Sequence, residues 1–215
     1  MRKVVILRPE PGASATLARA TAAGIAAVTI PLFEIAAVDW VAPDARDYDA
    51  LLLTSANAVR YAGEQLAGLN PMPTYCVGDA TAVAARAAGF AVAGTGANDA
   101  AALVERVPQG LRLLHLTGQA HRAVPGVTAI IVYDSAVIDP PPSLEVLAGS
   151  VAMVHSPRAG ARLAELVEQR GEISIAAISA AAAAASGGGW REVAAIATPG
   201  DGALLALAAA LCQKR

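Results

Sequence analysis

The chain has 215 residues, 55% of them hydrophobic and 4% aromatic, with a formal net charge of −2; domains commonly run about 100 to 150 residues, so this length fills one large core or two modest ones. A near-neutral balance with no basic block and few rings for stacking excludes a dedicated nucleic-acid surface. Cys76 and Cys212 stand far apart, without a CxxC pair or clustered histidines, which argues against a disulfide framework or a structural metal.

At the N-terminus, Met1-Arg2-Lys3 leads into Val4-Val5-Ile6-Leu7 before Arg8 and Pro9, too short for a signal-peptide core, and no run reaches about 18 strongly apolar residues. A cytoplasmic location with no membrane partner is the expectation. From there short β-branched or leucine-rich runs alternate with alanine-rich helical stretches. Strands are predicted at residues 4–7, 28–30, 50–53, 74–77, 91–93, 111–116, 129–132, 152–155, 173–178 and 193–196, most of them followed by a helix. That alternation belongs to parallel sheets covered by helices, and the fold class is α/β.

Set against itself at an offset of 101 residues, the chain places Leu53-Thr54-Ser55-Ala56-Asn57-Ala58 on Val154-His155-Ser156-Pro157-Arg158-Ala159, and Tyr75-Cys76-Val77-Gly78 on Ala176-Ala177-Ile178-Ser179. Val92 then meets Val193, and one residue of slippage pairs Asp99 with Asp201 and Leu103 with Leu205. Arg112-Leu113-Leu114-His115-Leu116-Thr117 has no counterpart downstream; Lys3-Val4-Val5-Ile6-Leu7-Arg8 matches it instead. The repeat therefore reads as circularly permuted, with a helix-length segment and one further strand after each of these two strands. Two similar flavodoxin-like domains with parallel five-stranded sheets are expected, a discontinuous one of residues 1–34 and 139–215 and an inserted one of residues 38–132. Extended linkers at 33–38 and 133–138 are expected to pair as a two-stranded hinge, and Pro140-Pro141-Pro142 marks the return to the first domain.

In open parallel sheets, ligands bind beyond the carboxyl ends of the strands, where helix N-termini present free N–H groups. Those ends hold Arg8, then Thr54, Ser55 and Asn57, then Gly78 and Thr81, then Thr117 and Gly118 with Arg122 nearby, then Ser156 and Arg158, then Ser179. Small hydroxyls, glycines and arginines suit an anionic ligand held by hydrogen bonds. Each has a plainer role beside that one. Thr54-Ser55 and Ser156-Pro157 are also ordinary helix starts, the glycines permit tight turns, Asp79 can cap its own helix, and the arginines can be solvated surface charges. His115 and His155 read as packing residues and His121 as exposed. Tyr133, in a linker, offers a phenol for proton transfer or a ring for packing. No GxGxxG follows the first strand, and neither GxxxxGK[ST] nor GxSxG occurs, so nucleotide and hydrolase readings lack their parts.

An ordered set of weak motifs over nearly the whole chain resembles the uroporphyrinogen-III synthase family. Leu53-Thr54-Ser55-Ala56-Asn57-Ala58-Val59 is similar to the family's Thr-Ser segment opening a helix, and Val77-Gly78-Asp79-Ala80-Thr81-Ala82 to its Val-Gly-x-x-Thr-Ala segment. Leu116-Thr117-Gly118-Gln119 with Arg122, Val132-Tyr133, Ser156-Pro157 and Ala177-Ile178-Ser179 continue the series. The family often has Gly-Pro-Thr-Thr after the strand where this chain reads Ser179-Ala180-Ala181-Ala182, so no threonine side-chain role carries over there.

The resemblance implies two domains on a paired-strand linker that close the linear tetrapyrrole hydroxymethylbilane in the cleft between them, inverting ring D with loss of water, without metal or organic cofactor. It makes Tyr133 the candidate proton donor to the departing hydroxyl, and Ser55, Gly78, Thr81, Gly118, Ser156 and Ser179 candidates for gripping carboxylates. A monomer is the expected form, with transient contact with hydroxymethylbilane synthase left open. A non-enzymatic two-lobed binding protein for a small anionic ligand is the alternative, and a flavodoxin-like electron-transfer or signalling module a second, which bound yellow flavin would favour.

Overall fold

Four-residue apolar runs such as Ala50-Leu51-Leu52-Leu53 and Val151-Ala152-Met153-Val154 are buried along their whole length, as strands covered by helices on both faces must be. The structure, a computed structural model, describes residues 2–96 and 100–214; the expected pairing of Asp99 with Asp201 lies outside the described residues. In chain order the elements begin β1 (Val4–Ile6), α1 (Gly12–Ala22), β2 (Ala27–Thr29), β3 (Phe33–Ala37), β4 (Ala50–Leu53), α2 (Ala56–Tyr61), β5 (Thr74–Val77), α3 (Asp79–Ala87) and β6 (Val92–Gly96). They continue with α4 (Ala100–Val104), β7 (Leu113–Gly118), β8 (Val127–Val137), β9 (Val151–Val154), α5 (Pro157–Leu166), β10 (Ser174–Ala177), α6 (Ala180–Ala185), β11 (Glu192–Ala195) and α7 (Asp201–Gln213). None of the described helices is long and apolar enough to cross a membrane.

The chain divides into two units, Met1–Glu34 with Ala136–Arg215, and Ile35–Ser135. The first unit holds a five-stranded sheet in the order β11-β10-β9-β1-β2, all parallel. The other sheet has six strands, β3-β8-β7-β4-β5-β6. Its last five are parallel, whereas Val38 N bonds Val132 O and Ile138 N bonds Leu32 O, so β3 runs antiparallel to β8.

Numbered in chain order, the strands of the first sheet lie 2-1-3-4-5 and the parallel strands of the second 3-2-1-4-5. The two are one arrangement entered at different points of the repeat. Ladder registers keep the spacing of the sequence match. Leu51 faces Thr74 and Ala152 faces Ile175; Thr74 faces Val92 and Ile175 faces Val193, each pair displaced by 101 residues. On the permuted side, Ala50 faces Leu113 as Val151 faces Val4.

Two expectations do not hold. The second sheet has a sixth strand, because the long β8 offers an edge of unpaired N–H and C=O groups that β3 covers. In addition, no helix lies between β7 and β8. The segment 119–126, ending in Val124-Pro125-Gly126, is too short for a helix plus its two turns.

Strand side chains alternate between faces. In the first unit, Val5, Ala152 and Ile175 pack towards α5 and Trp190, while Val4, Ile6 and Met153 pack under α1 and α7. In the second, Leu51, Leu53, Leu114 and Leu116 pack under α2 and α3, and the opposite face carries only a small cluster around Ala50, Val107 and Leu113. His115 and Thr117 share that face with Leu113, and all three are buried although no helix joins β7 to β8.

Helices α5 and α6 approach closely at Gly160, where a Cβ would stand 2.6 Å from Ser186 Oγ and 2.8 Å from the Ala182 carbonyl oxygen. Alanine is the better helix former, but it would have to push backbone aside. Gly160→Ala is expected to destabilise the chain by about 1–3 kcal/mol, read as a lower urea midpoint at unchanged m-value. Gly171→Ala, with nothing within 4 Å, is the control expected within about 0.5 kcal/mol. Equal midpoints for the two variants would contradict the packing argument.

Candidate functional site

Strands β4 and β7 are neighbours, but the chain leaves β4 towards β5 and leaves β7 towards β8. Their carboxyl ends therefore sit where the strand order reverses, the crevice in which open α/β sheets bind ligands. A cavity of about 460 Å³ lies there in the second unit. Seven residues singled out from the sequence, Thr54, Ser55, Asn57, Thr117, Gly118, Arg122 and Tyr133, line it together with His115 and His121. Arg122, exposed, is the only arginine or lysine among the described lining residues.

Ser55 is extended at φ −150° and caps α2, its Oγ accepting from Asn57 N at 3.2 Å; its hydroxyl proton stays free to donate. Asn57 Oδ1 accepts from Arg60 at 3.2 Å. Gly118 serves close approach rather than a tight turn. A register irregularity between Thr117 and Gly118 brings Tyr133 opposite Gly118, and a Cβ there would stand 2.6 Å from Tyr133 Cε2 and Cζ and 3.0 Å from its hydroxyl oxygen. His121 Nδ1–H donates to the Gly118 carbonyl at 3.0 Å, so the glycine is held from two sides.

His115, read from sequence as a packing residue, is 2% exposed, with Nε2 3.0 Å from Thr54 Oγ1. The His121 ring stands edge-on to it, with centroids 6.1 Å apart at 89°, so His121 is partly enclosed rather than simply exposed. Burial, with the His121 charge adding to it, pushes the His115 pKa down to about 4, and the ring is neutral at pH 7. The sequence did carry a signal: a histidine inside an apolar strand, two residues before Thr117 and hence on the same face.

Gly78 and Thr81 do not line the cavity. Gly78 caps α3 at φ +78° and ψ 150°, a conformation that glycine alone holds without strain. Asp79 takes the first helical position rather than the cap, and Thr81 is buried within α3.

The corresponding edge of the first unit, between β9 and β1, holds an ion cluster centred on Asp201, in the first turn of α7. Asp201 Oδ1 accepts from Arg8 at 3.0 Å, Thr16 Oγ1 at 2.8 Å and His155 Nε2 at 2.9 Å, and Arg19 pairs with Oδ2. Burial opposes ionisation of Asp201, but bonds from His155 and Thr16 and the Arg19 charge outweigh it and hold the carboxyl below its ordinary range. Burial keeps the His155 pKa low despite that carboxylate. Arg8 lies over Gly12, where a Cβ would be 2.6 Å from its Cζ; expected to grip ligand, it is engaged internally. Asp201, Thr16, Arg19 and His155 were not singled out from sequence as a site; an acidic residue opening a helix was their one visible sign. Ser156 and Ser179 cap α5 and α6, accepting from Ala159 N at 3.1 Å and Ala182 N at 3.2 Å. Arg158 places its guanidinium 4.8 Å from the centroid of Phe33.

The family model described as Uroporphyrinogen-III synthase HemD matches residues 14–206. Among solved structures, uroporphyrinogen-III synthetase from Helicobacter pylori superposes with a TM-score of 0.69 at 18% identity, covering 98% of this chain and 100% of that one. A mutant uroporphyrinogen III synthase from Thermus thermophilus superposes with a TM-score of 0.50 at 16% identity, covering 95% and 96%. No curated protein sequence matches the chain.

The buried imidazole makes stability depend on pH. Folding lowers the His115 pKa from 6.5 to about 4, so below pH 6.5 the unfolded chain takes up a proton that the folded chain refuses. Stability is intact above pH 6.5 and falls by roughly 3 kcal/mol as pH drops towards 4. His155 and Asp201 slope the same way, so the difference between the native chain and His115→Gln isolates His115. Urea titrations from pH 7.5 to 4 are expected to give a flatter profile for His115→Gln; parallel profiles would contradict the assignment.

Proposed function

The chain belongs to the uroporphyrinogen-III synthase family of cyclising lyases, and from that premise we propose that the cavity beyond β4 and β7 holds carboxylate side chains of the linear tetrapyrrole hydroxymethylbilane while its ends are brought together. The family's reaction serves heme biosynthesis, closing the bilane with inversion of ring D and loss of water to give uroporphyrinogen III. What supports the placement is the gathering of Thr54, Ser55, Thr117, Gly118, Arg122 and Tyr133 around one cavity at the reversal of strand order. Hydroxyls and N–H groups, joined by one arginine, can bond several carboxylates of a polyanion without a single dominant ion pair.

In this reading the phenol of Tyr133, braced against Gly118, protonates the departing hydroxyl. The C–O bond breaks, the phenolic proton leaves with the oxygen as water, and an azafulvene cation remains beside a phenolate. Attack by the substituted carbon of ring D gives a spiro intermediate, whose fragmentation and reclosure turn the ring over. The proton lost from the ring carbon at closure returns to the phenolate. Proton transfer and carbon–carbon bond exchange suffice, so the scheme asks for no cofactor, and we place it in the cytoplasm. Holding the bilane in the conformation that reaches the spiro intermediate supplies most of the advantage over direct closure. Both units are assigned the flavodoxin-like arrangement on the strength of the 2-1-3-4-5 order of the first sheet and its permuted copy in the second. Residues 33–38 and 133–138, which carry the chain between its units, are assigned the hinge, on the strength of the pairing between β3 and β8.

Tyr133→Phe is expected to slow turnover roughly tenfold or more without abolishing it, measured with freshly generated hydroxymethylbilane by separating the oxidised type I and type III isomers. Unchanged rate and isomer ratio would remove Tyr133 from the mechanism. Gly118→Ala displaces the same ring and is expected to lower the type III share as well.

A further inference from the structure

One polar group of the cavity takes no part in that proton transfer, the neutral imidazole joined to the Thr54 hydroxyl. We propose that His115 is a positioning residue that turns the Thr54 hydroxyl so that its proton is donated to a substrate carboxylate; this rests on the reading of the cavity as the substrate site.

The placement follows from the sheet. Leu52 faces His115 and Leu53 faces Leu116 across the β4–β7 ladder, so Thr54 is the diagonal neighbour of His115 on the same face. Thr54 Oγ1, at 3.0 Å, is the one hydrogen-bond partner of the His115 ring among the described residues. A neutral imidazole carries one N–H and one lone pair, which leaves two arrangements. When Nε2 is the acceptor, the hydroxyl spends its proton on the ring and shows only lone pairs to the cavity, which a carboxylate repels. When Nε2–H donates to Oγ1, the hydroxyl proton is free for the cavity and is polarised by the bond it receives. A carboxylate ligand selects the second arrangement.

The duplicated fold supplies an internal control. At the register position of His115, the first unit has Ile6, fully buried in the cluster beneath α1 and α7. The ladder therefore accepts an aliphatic side chain there and does not require an imidazole. Burying a ring that resists protonation, in a strand otherwise rich in leucine, costs stability that packing alone would not demand. Its return is a fixed hydroxyl in the cavity. His121 supports the arrangement, since its own Nδ1–H is committed to the Gly118 carbonyl and its ring stands against that of His115.

The test is a double-mutant cycle on kcat/KM with hydroxymethylbilane. Thr54→Val removes one hydrogen bond to a charged group and is expected to cost about tenfold. His115→Leu is expected to cost the same factor, and Thr54→Val with His115→Leu no more than either alone, because His115 acts through Thr54. His115→Gln, whose amide can donate to Oγ1, is expected to recover most of the rate. If His115→Leu folds poorly because it leaves the half-buried Thr54 hydroxyl without its partner, the double variant removes both partners and keeps its fold, so its single-step loss still reads the coupling. Multiplicative losses near a hundredfold, or a full-rate His115→Leu beside a slow Thr54→Val, would overturn the positioning role while leaving the cavity as the substrate site. Unchanged kinetics in Thr54→Val, Tyr133→Phe and Ser55→Ala together would overturn the cavity reading itself.

Discussion

At the junction of β4 and β7 the chain turns away in opposite directions, towards β5 from one strand and towards β8 from the other. A parallel sheet normally covers both faces with crossover helices. Here the connection from β7 to β8 runs through the short segment 119–126 with no helix, and the face that carries His115 and Thr117 is buried but holds only a small apolar cluster. A histidine, two threonines and a glycine under a tyrosine ring line a polar cavity there, with His115 bonded to Thr54 and Gly118 held by His121 and Tyr133.

The two units share one ladder, offset by 101 residues from β4 through the start of β6, and differ at this junction. In the first unit α1 follows β1, Ile6 is sealed beneath it, and the carboxyl edge carries Arg8, Arg19, Thr16 and His155 gathered on Asp201. Four donors converge on one internal carboxylate, which is the chemistry a ligand carboxylate would meet. In the second unit the equivalent space is open and lined by donors. The two copies also differ by one helix, since α1 joins β1 to β2 and no helix joins β7 to β8.

Much of the site could be read from the chain because loops after strands are where ligands bind, and Thr54, Ser55, Thr117, Gly118 and Tyr133 could be located by finding the strands. Their capping roles were equally visible, and Ser55, Ser156 and Ser179 do cap. His115 was passed over because an apolar strand around it suggests packing on both sides; its bond to Thr54 depends on β4 and β7 lying side by side. Asp201 was passed over for a different reason. Its partners Arg8, Thr16 and His155 lie 193, 185 and 46 residues away, and no local pattern announces a contact at such distance.

Local pattern determined the α/β class, most strand positions to within a few residues, the serine caps and the permuted repeat, since side-chain periodicity and self-similarity are properties of the chain alone; β8 proved longer than its expected 129–132, and β3 was read as linker. The tertiary structure decided the lateral order of the strands, the antiparallel addition of β3, the clasp of Tyr133 on Gly118 and the joining of His115 to Thr54. Those depend on which strands lie side by side and which faces the helices leave uncovered, and that is a competition among packing arrangements that sequence spacing does not encode.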